Sequence, residues 1–239
     1  MVERYGARSA GVYASYRPPL HHPIVSEALG TRHFERALDL GCGGGHSAKA
    51  LLDHCDFVLG IDPSPGMIAH AMPHARIAYH VADVTTLPAG EQNFDLVSVA
   101  GALPYIDLTG FHAQLQRLCQ QYAKIFVYDF KLDMSPIIEV LQLPVMQSSS
   151  SYAHELNLSH IDGFSTVSLG TARKSFVAKP KEVACILLAN ADRFEQLAVC
   201  FDASDPMQSL EALIAKKDHS WEIAADSWYA LHEVLYGLN

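Results

Sequence analysis

Three aspartates, Asp39, Asp62 and Asp83, each lie at the end of a short apolar run, and the first is followed at once by Leu40-Gly41-Cys42-Gly43-Gly44-Gly45. A carboxylate only accepts hydrogen bonds, so its natural partners are hydroxyls, amines and backbone N–H groups. Glycine lacks Cβ, so such a loop can turn sharply and bring its amides close to a ligand. Taken alone the glycine pattern is ambiguous, because dehydrogenases and phosphate binders use similar loops. The three carboxylates narrow the choice. Asp62, about twenty residues beyond the loop, suits the two hydroxyls of a ribose. Asp39 would repel a pyrophosphate but could pair with a cationic amino group through water or the loop backbone. Asp83 could accept from an exocyclic amine such as that of adenine. A ligand with a cationic amino acid at one end, a ribose in the middle and adenine at the other satisfies all three, and S-adenosylmethionine has that layout.

Regular alternation of strands and helices must position these residues. Strands are expected over Arg36–Leu40, Phe57–Asp62, Ile77–Val81, Phe94–Ala100 and Ala123–Asp129. Helices are expected over Leu20–Leu29 (closed by Gly30), Ser47–His54, Ser64–Ala71 and Leu108–Gln121. Ser64 serves as an N-cap, with Pro65 in the first turn. Strands reading as continuous apolar runs between helices imply a parallel sheet buried on both faces, hence a doubly wound, Rossmann-like α/β fold with ligands at the carboxyl ends of the strands. Beyond Asp129 the pattern loosens. Ser135–Leu143 reads as helix and Gln147–Ser151 as a serine-rich turn. Phe164–Leu169 and Arg173–Ala178 read as a short antiparallel pair around Gly170-Thr171. Lys181–Leu197, Leu210–Lys216 and Trp221–Leu238 read as helices, the last from the spacing of Ile223, Ala224, Trp228, Leu231, Leu235 and Leu238. The expected division is a cofactor-binding core over 1–134, including an N-terminal arm, and a stretch over 135–239 that completes the sheet and forms a mainly helical substrate lid.

Leu38-Asp39-Leu40-Gly41-Cys42-Gly43-Gly44-Gly45, Val58-Leu59-Gly60-Ile61-Asp62-Pro63-Ser64-Pro65-Gly66-Met67, Ala82-Asp83-Val84 and Phe94-Asp95-Leu96-Val97-Ser98-Val99-Ala100, in that order, resemble the class I S-adenosylmethionine-dependent methyltransferases, in particular the type-11 small-molecule branch. The resemblance covers roughly residues 13–130, and Tyr16-Arg17-Pro18 is similar to the arm that precedes the first strand in several relatives. It implies that Asp39 and the glycines Gly41, Gly43 and Gly45, with Cys42, cradle the methionine end. It also implies that Asp62 takes the ribose, that Pro63 is a cofactor-binding residue beside it, that Met67 packs on the adenine face, and that Asp83 and Val84 meet the adenine. Ala100 would lie near the methionine moiety. The arm, with Tyr16 and Arg17, either closes over the cofactor or simply covers one edge of the sheet. S-adenosyl-L-homocysteine is then the product. Cys42 reads as a small apolar filler, because no base or cation is placed to activate it.

The methyl of a sulfonium is already activated, so alignment and exclusion of water do much of the catalysis, and a base is needed only when the acceptor must lose a proton. The Asn- or Asp-Pro-Pro-aromatic motif of relatives that methylate nucleic-acid amines is missing after the fourth strand. Ala100-Gly101-Ala102-Leu103-Pro104-Tyr105 stands there instead. With a formal net charge of −9 and only 17 scattered Lys+Arg, this favours a small organic acceptor (O, N or C) over nucleic acid. Tyr105, His154 and Arg173 are the catalytic candidates, with Tyr13 as a further residue facing the acceptor. Packing, a solvated turn and chance are the plain alternatives for these. Thirteen histidines and five cysteines show no metal-ligand or disulfide spacing, no apolar run is long enough to span a bilayer, and no signal core opens the chain, so a reducing cytoplasm is expected. A nicotinamide-dependent oxidoreductase and a non-catalytic S-adenosylmethionine binder are the competing readings. The chain leaves monomer and homodimer equally open.

Overall fold

The computed structural model describes residues 16–87, 92–144 and 152–236. Tyr13 and all of Gln147–Ser151 lie outside them. Seven strands, β1 (Phe34–Leu40), β2 (Cys55–Asp62), β3 (Ile77–Val81), β4 (Phe94–Ala100), β5 (Cys119–Asp133), β6 (Phe164–Ala178) and β7 (Trp221–Val234), form one sheet in the order β3-β2-β1-β4-β5-β7-β6. The pairings β1–β2, β2–β3, β1–β4 and β4–β5 are parallel. Chain connectivity reverses direction beside β1, which has β2 on one flank and β4 on the other. In an open α/β sheet such a point leaves a crevice at the carboxyl ends of the strands.

The apolar runs that define these strands become the core. Leu38, Leu59, Phe94, Val97 and Ile125 exclude solvent, packed with Phe111 and Leu115 of a flanking helix. The helices here are α1 (His21–Leu29), α2 (His46–Leu51), α3 (Pro65–Ala69) and α4 (Phe111–Leu118). Gly30 ends α1 with φ +59°, and Ser64 Oγ accepts from the Met67 N–H at 3.4 Å to cap α3. Asp95 anchors the start of β1, accepting from the Glu35 and Arg36 N–H groups at 2.7 and 2.9 Å.

Two compact units share the chain. One contains Leu20–Lys131, Tyr152–Ala172 and Asp226–Asn239; the other contains Met1–Pro19, Leu132–Ser151 and Arg173–Ala225. The second is mainly helical, with α5 (Ser135–Val140), α6 (Pro180–Leu188), α7 (Ala191–Cys200) and α8 (Met207–Lys217) around Val183, Leu187, Leu210 and Ile214. The single helix expected over Lys181–Leu197 is two, because Asn190 Oδ1 accepts from the Arg193 N–H at 3.0 Å and starts a new helix there. No helix among the described residues is long and apolar enough to cross a membrane.

Two further expectations are corrected. Phe164–Leu169 and Arg173–Ala178 are not a hairpin pair but one continuous strand. Gly170 does not turn the chain: a Cβ there would sit 2.2 Å from the Tyr229 ring, so the glycine admits a close crossing of that side chain. Trp221–Leu238 is not a helix, since Trp221–Val234 is β7. Ile223, Ala225 and Ser227 alternate inward with period two, a rhythm that small Ala and Ser hide in the sequence, and a pairing site between β5 and β6 overrides the helical spacing.

His232 on β7 is fully buried. Its Nε2 accepts from the Leu158 N–H at 3.3 Å, and Nδ1 lies 3.3 Å from Thr166 Oγ1. Burial pushes its pKa down to about 4. The folded state therefore binds this proton less readily than the unfolded chain, and stability falls as pH drops from about 6.5 through 4. Chemical denaturation at stepped pH is expected to show a shallower acid loss for His232→Gln, which keeps an acceptor but cannot ionise.

Candidate active site

The loop after β1 is built by its glycines. Gly41 has φ +69°, and a Cβ on it would lie 2.5 Å from Ala102 Cβ. The N–H groups of Gly41 and Cys42 both donate to the Ile61 carbonyl, at 2.8 and 3.0 Å. Gly43 (φ +52°) has open space where a Cβ would stand, and its N–H donates to Asp62 Oδ2 at 3.0 Å. The loop is thus tied to the end of β2 while one backbone face stays clear. Gly45 opens α2 with φ +83°, below the Tyr79 ring.

Asp39 is completely buried next to this loop. Oδ2 accepts from Ser47 Oγ at 2.5 Å, whereas Oδ1 and the Ser98 hydroxyl, opposite Asp39 in the β1–β4 register, have no hydrogen-bond partner. Burial pushes the Asp39 carboxyl up to about 7, with the nearby Ser47 and Ser98 hydroxyls opposing the rise and the Asp62 charge adding to it. A buried acceptor left unsatisfied is costly, and one beside a glycine loop is suited to a cationic group. Cys42 is buried as well, and burial first, then Asp39 and Asp62, raises its thiol far out of the reactive range. It fills space.

Asp62 accepts from the Gly43 N–H through Oδ2 and the Ser64 N–H, at 2.9 Å, through Oδ1. Each oxygen retains a lone pair for a hydroxyl. Pro63 is exposed and Met67 half-buried on α3, a helix with no buried residue, so both are open to a ligand face. Asp83 is engaged locally. Its Oδ1 accepts from the Thr85 N–H and hydroxyl (2.8 and 2.6 Å) and the Thr86 N–H (2.9 Å), and the Thr85 hydroxyl leads in holding its carboxyl below the usual range. The Val84 side chain is in the core, which leaves its backbone as the part able to face a base. Tyr16 and Arg17 belong to the helical unit, where burial and then the Glu182 charge push the Tyr16 hydroxyl up to about 12.

Beyond β4 the chain turns at Gly101 (φ +62°), next to Ala100. A Cβ on Gly101 would meet Asp129 Oδ1 at 3.1 Å and Tyr152 Oη at 3.6 Å, and the Tyr152 hydroxyl donates to the Gly101 carbonyl at 2.7 Å. Asp129, near the end of β5, accepts from His154 Nδ1 at 2.8 Å. The rings of Tyr105 and Tyr152 are 5.9 Å apart, those of Tyr152 and His154 4.6 Å, and His154 stacks on Trp228 at 5.8 Å and 20°. Two of the three catalytic candidates, Tyr105 and His154, therefore join one aromatic group. Arg173 is a residue of the helical unit, where its guanidinium pairs with Asp133 at 3.1 Å. His154 and Trp228 also line a cavity of about 370 Å³, with Tyr128, Leu156, Leu169 and Tyr229 among its walls.

Sequence reasoning missed Ser47, Ser98, Asp129, Tyr152 and Trp228. Asp129 carried a readable signal, a carboxylate near the carboxyl end of a predicted strand. Tyr152 and Trp228 carried none, being placed by irregular chain and by a strand read as a helix.

Residues 37–124 match the family model of a methyltransferase domain. Ubiquinone biosynthesis O-methyltransferase of Coxiella burnetii is 34% identical over 77 residues, 30% of this chain and 33% of that protein. Demethylmenaquinone methyltransferase of Beutenbergia cavernae is 37% identical over 78 residues, 32% of each. A solved structure assigned as a type II methyltransferase from Anaeromyxobacter dehalogenans superposes with TM-score 0.62 at 19% identity, covering 93% of this chain and all of that one, which is a likeness of fold. The chain spans half or less of the length of the curated relatives it matches.

Two places suit a ligand that carries both an amino acid and a ribose, as S-adenosylmethionine does: the unsatisfied buried oxygen of Asp39 towards a cationic amine, and the open lone pairs of Asp62 towards a diol. A cation at Asp39 draws its carboxyl down from about 7, so binding releases protons near neutrality and weakens as pH falls through 7. Calorimetry with S-adenosylhomocysteine in buffers of different ionisation enthalpy is expected to show this release. Asp39→Asn abolishes it and weakens binding about tenfold or more, while raising the melting temperature above pH 7 by removing a buried charge.

Proposed function

We propose that this chain is an S-adenosylmethionine-dependent methyltransferase that moves a methyl group to a small organic acceptor by in-line displacement. The observation that carries the reading is the joint placement of Asp39, the glycine loop and Asp62 at adjoining strand ends beside the point where the sheet's connectivity reverses. Bound there, the cofactor supplies a methyl activated by a positive sulfur. In this reading Asp39, Gly41, Cys42, Gly43 and Gly45 hold the amino-acid end, Asp62 and Pro63 the ribose, and Met67, Asp83 and Val84 the adenine, with Ala100 beside the sulfur. Residues 135–239 complete the sheet and supply the substrate lid. The names of the Coxiella and Beutenbergia relatives support a small organic acceptor. The −9 net charge supports an acceptor other than nucleic acid, and five free cysteines support a reducing, cytoplasmic setting.

Calorimetry of the full chain tests the reading. Micromolar binding of S-adenosylmethionine and S-adenosylhomocysteine is expected, with Asp62→Ala weakening both by about tenfold or more through loss of charge-assisted hydrogen bonds. No binding of either, or a fluorescence response to NADH alone, overturns it. Binding without turnover of any phenol, amine, carboxylate or activated carbon acceptor leaves a non-catalytic cofactor binder.

A further inference from the structure

We infer that His154 is the general base of the acceptor site and that the acceptor is a flat aromatic hydroxyl compound, a phenol or its fused-ring equivalent. The inference rests on the methyltransferase reading above and adds the acceptor's chemistry and the fate of its proton.

Asp129 Oδ2 lies 2.8 Å from His154 Nδ1, and both side chains are mostly shielded, at 17% and 28% exposure. A carboxylate so placed holds the proton on Nδ1 and leaves Nε2 as the nitrogen with a lone pair, because the hydrogen bond made by one ring nitrogen sets the role of the other. Asp129 is itself fixed, with Oδ1 accepting from the Phe130 N–H at 2.7 Å. The pair lies beside the turn after β4. Asp129 Oδ1 reaches within 3.1 Å of where a Gly101 Cβ would stand, and Ala102, next in the chain, packs against Gly41 of the cofactor loop. The base is therefore adjacent to the end of β4, where a methyl donor's reactive end is expected.

Acceptor chemistry follows from what such a pair can and cannot assist. A carboxylate acceptor arrives without a proton to lose and would be repelled by Asp129. An un-ionised hydroxyl is a poor nucleophile and gains most from a base. Shape points the same way. His154 and Trp228 stack nearly parallel, and the cavity of about 370 Å³ beside them has Leu156, Leu169 and Tyr229 in its walls for a flat ring, with His154, Glu155, Asn157 and Thr171 as polar groups for a ring that carries a hydroxyl. The step balances. The acceptor oxygen forms a bond to the methyl carbon as the carbon–sulfur bond breaks, its electron pair passing to sulfur to leave a neutral thioether. The hydroxyl proton moves to Nε2, and the resulting imidazolium is held by Asp129 until solvent takes the proton. His154 would be the catalytic residue and Asp129 the positioning residue.

The test uses the full chain saturated with S-adenosylhomocysteine, with para-nitrophenol and a naphthol as probes. Difference absorption at a pH one unit below the free probe's pKa is expected to show the bound probe as phenolate in the wild type and as neutral phenol in His154→Gln. With S-adenosylmethionine, kcat for the phenols is expected to fall about 10²–10⁴-fold in His154→Gln with KM little changed. Asp129→Asn, which can leave the wrong tautomer, is expected to lower kcat and move the acid limb of its pH profile. Tyr152 packs on the imidazole, and Glu155, Tyr128 and Tyr229 line the same cavity; all four stay intact, so a moved limb reports the Asp129–His154 pair. Unchanged S-adenosylhomocysteine affinity in both variants shows that they fold. Absence of phenol binding, the same spectrum in wild type and His154→Gln, or turnover by His154→Gln within about threefold of wild type overturns the inference. Failure of the wild type to bind the cofactor instead overturns the methyltransferase reading itself.

Discussion

A carboxylate buried without a charge partner is the constraint around which this domain is arranged. Asp39 has no solvent contact, one hydrogen bond from Ser47 and one oxygen with nothing to accept. In the folded protein its carboxyl is raised to about 7, so ionising it works against folding as pH rises from about 4 to 7. A core optimised for stability would place an apolar residue there. Every neighbour is compatible with keeping the carboxylate instead. Ser98 faces it from β4, Ser47 opens α2 beneath it, and the positive-φ turn at Gly41 requires a residue without Cβ because Ala102 is already in contact. Ground-state cost retained at a loop suited to a ligand is the pattern expected of a binding site.

Asp62 shows the same economy with the opposite sign. Its carboxylate is satisfied by two backbone N–H groups, and those bonds set the loop against the end of β2. The aspartate is therefore structural before any ligand arrives, and it is pre-aimed because both oxygens are fixed. Asp83 differs again: its Oδ1 is committed to Thr85 and Thr86, so it shapes the loop after β3 at least as much as it offers an acceptor. Three carboxylates that look alike in the sequence are thus in three electrostatic states.

Local signals account for what could be read in advance. β1 to β4, the cap at Ser64, the stop at Gly30 and the glycine loop are each encoded within a few residues, and all were legible. What failed depends on partners distant in sequence. β7 carries a helical spacing of large apolar residues, and its strand state comes from the pairing site between β5 and β6. Gly170 looks like a turn residue, yet its lack of a side chain serves the ring of Tyr229. The break after α6 was written locally, in Asn190, but masked by the apolar run across it.

The two ends of the site consequently differ in how they are built. In the proposed reading the cofactor end draws on residues between Asp39 and Ala100, joined by short loops, so one stretch of sequence specifies it. The proposed acceptor end draws on Gly101, Asp129, Tyr152, His154 and Trp228, which come from two turns and two strands. Only the pairing of β7 into the sheet puts Trp228 against His154. Changes in the irregular chain around Tyr152 and His154, or in β7, can therefore remodel the acceptor cavity while the Asp39–Asp62 framework stays as it is. A single cofactor framework can in this way carry different acceptors, with Gly101 as the contact that couples one end to the other.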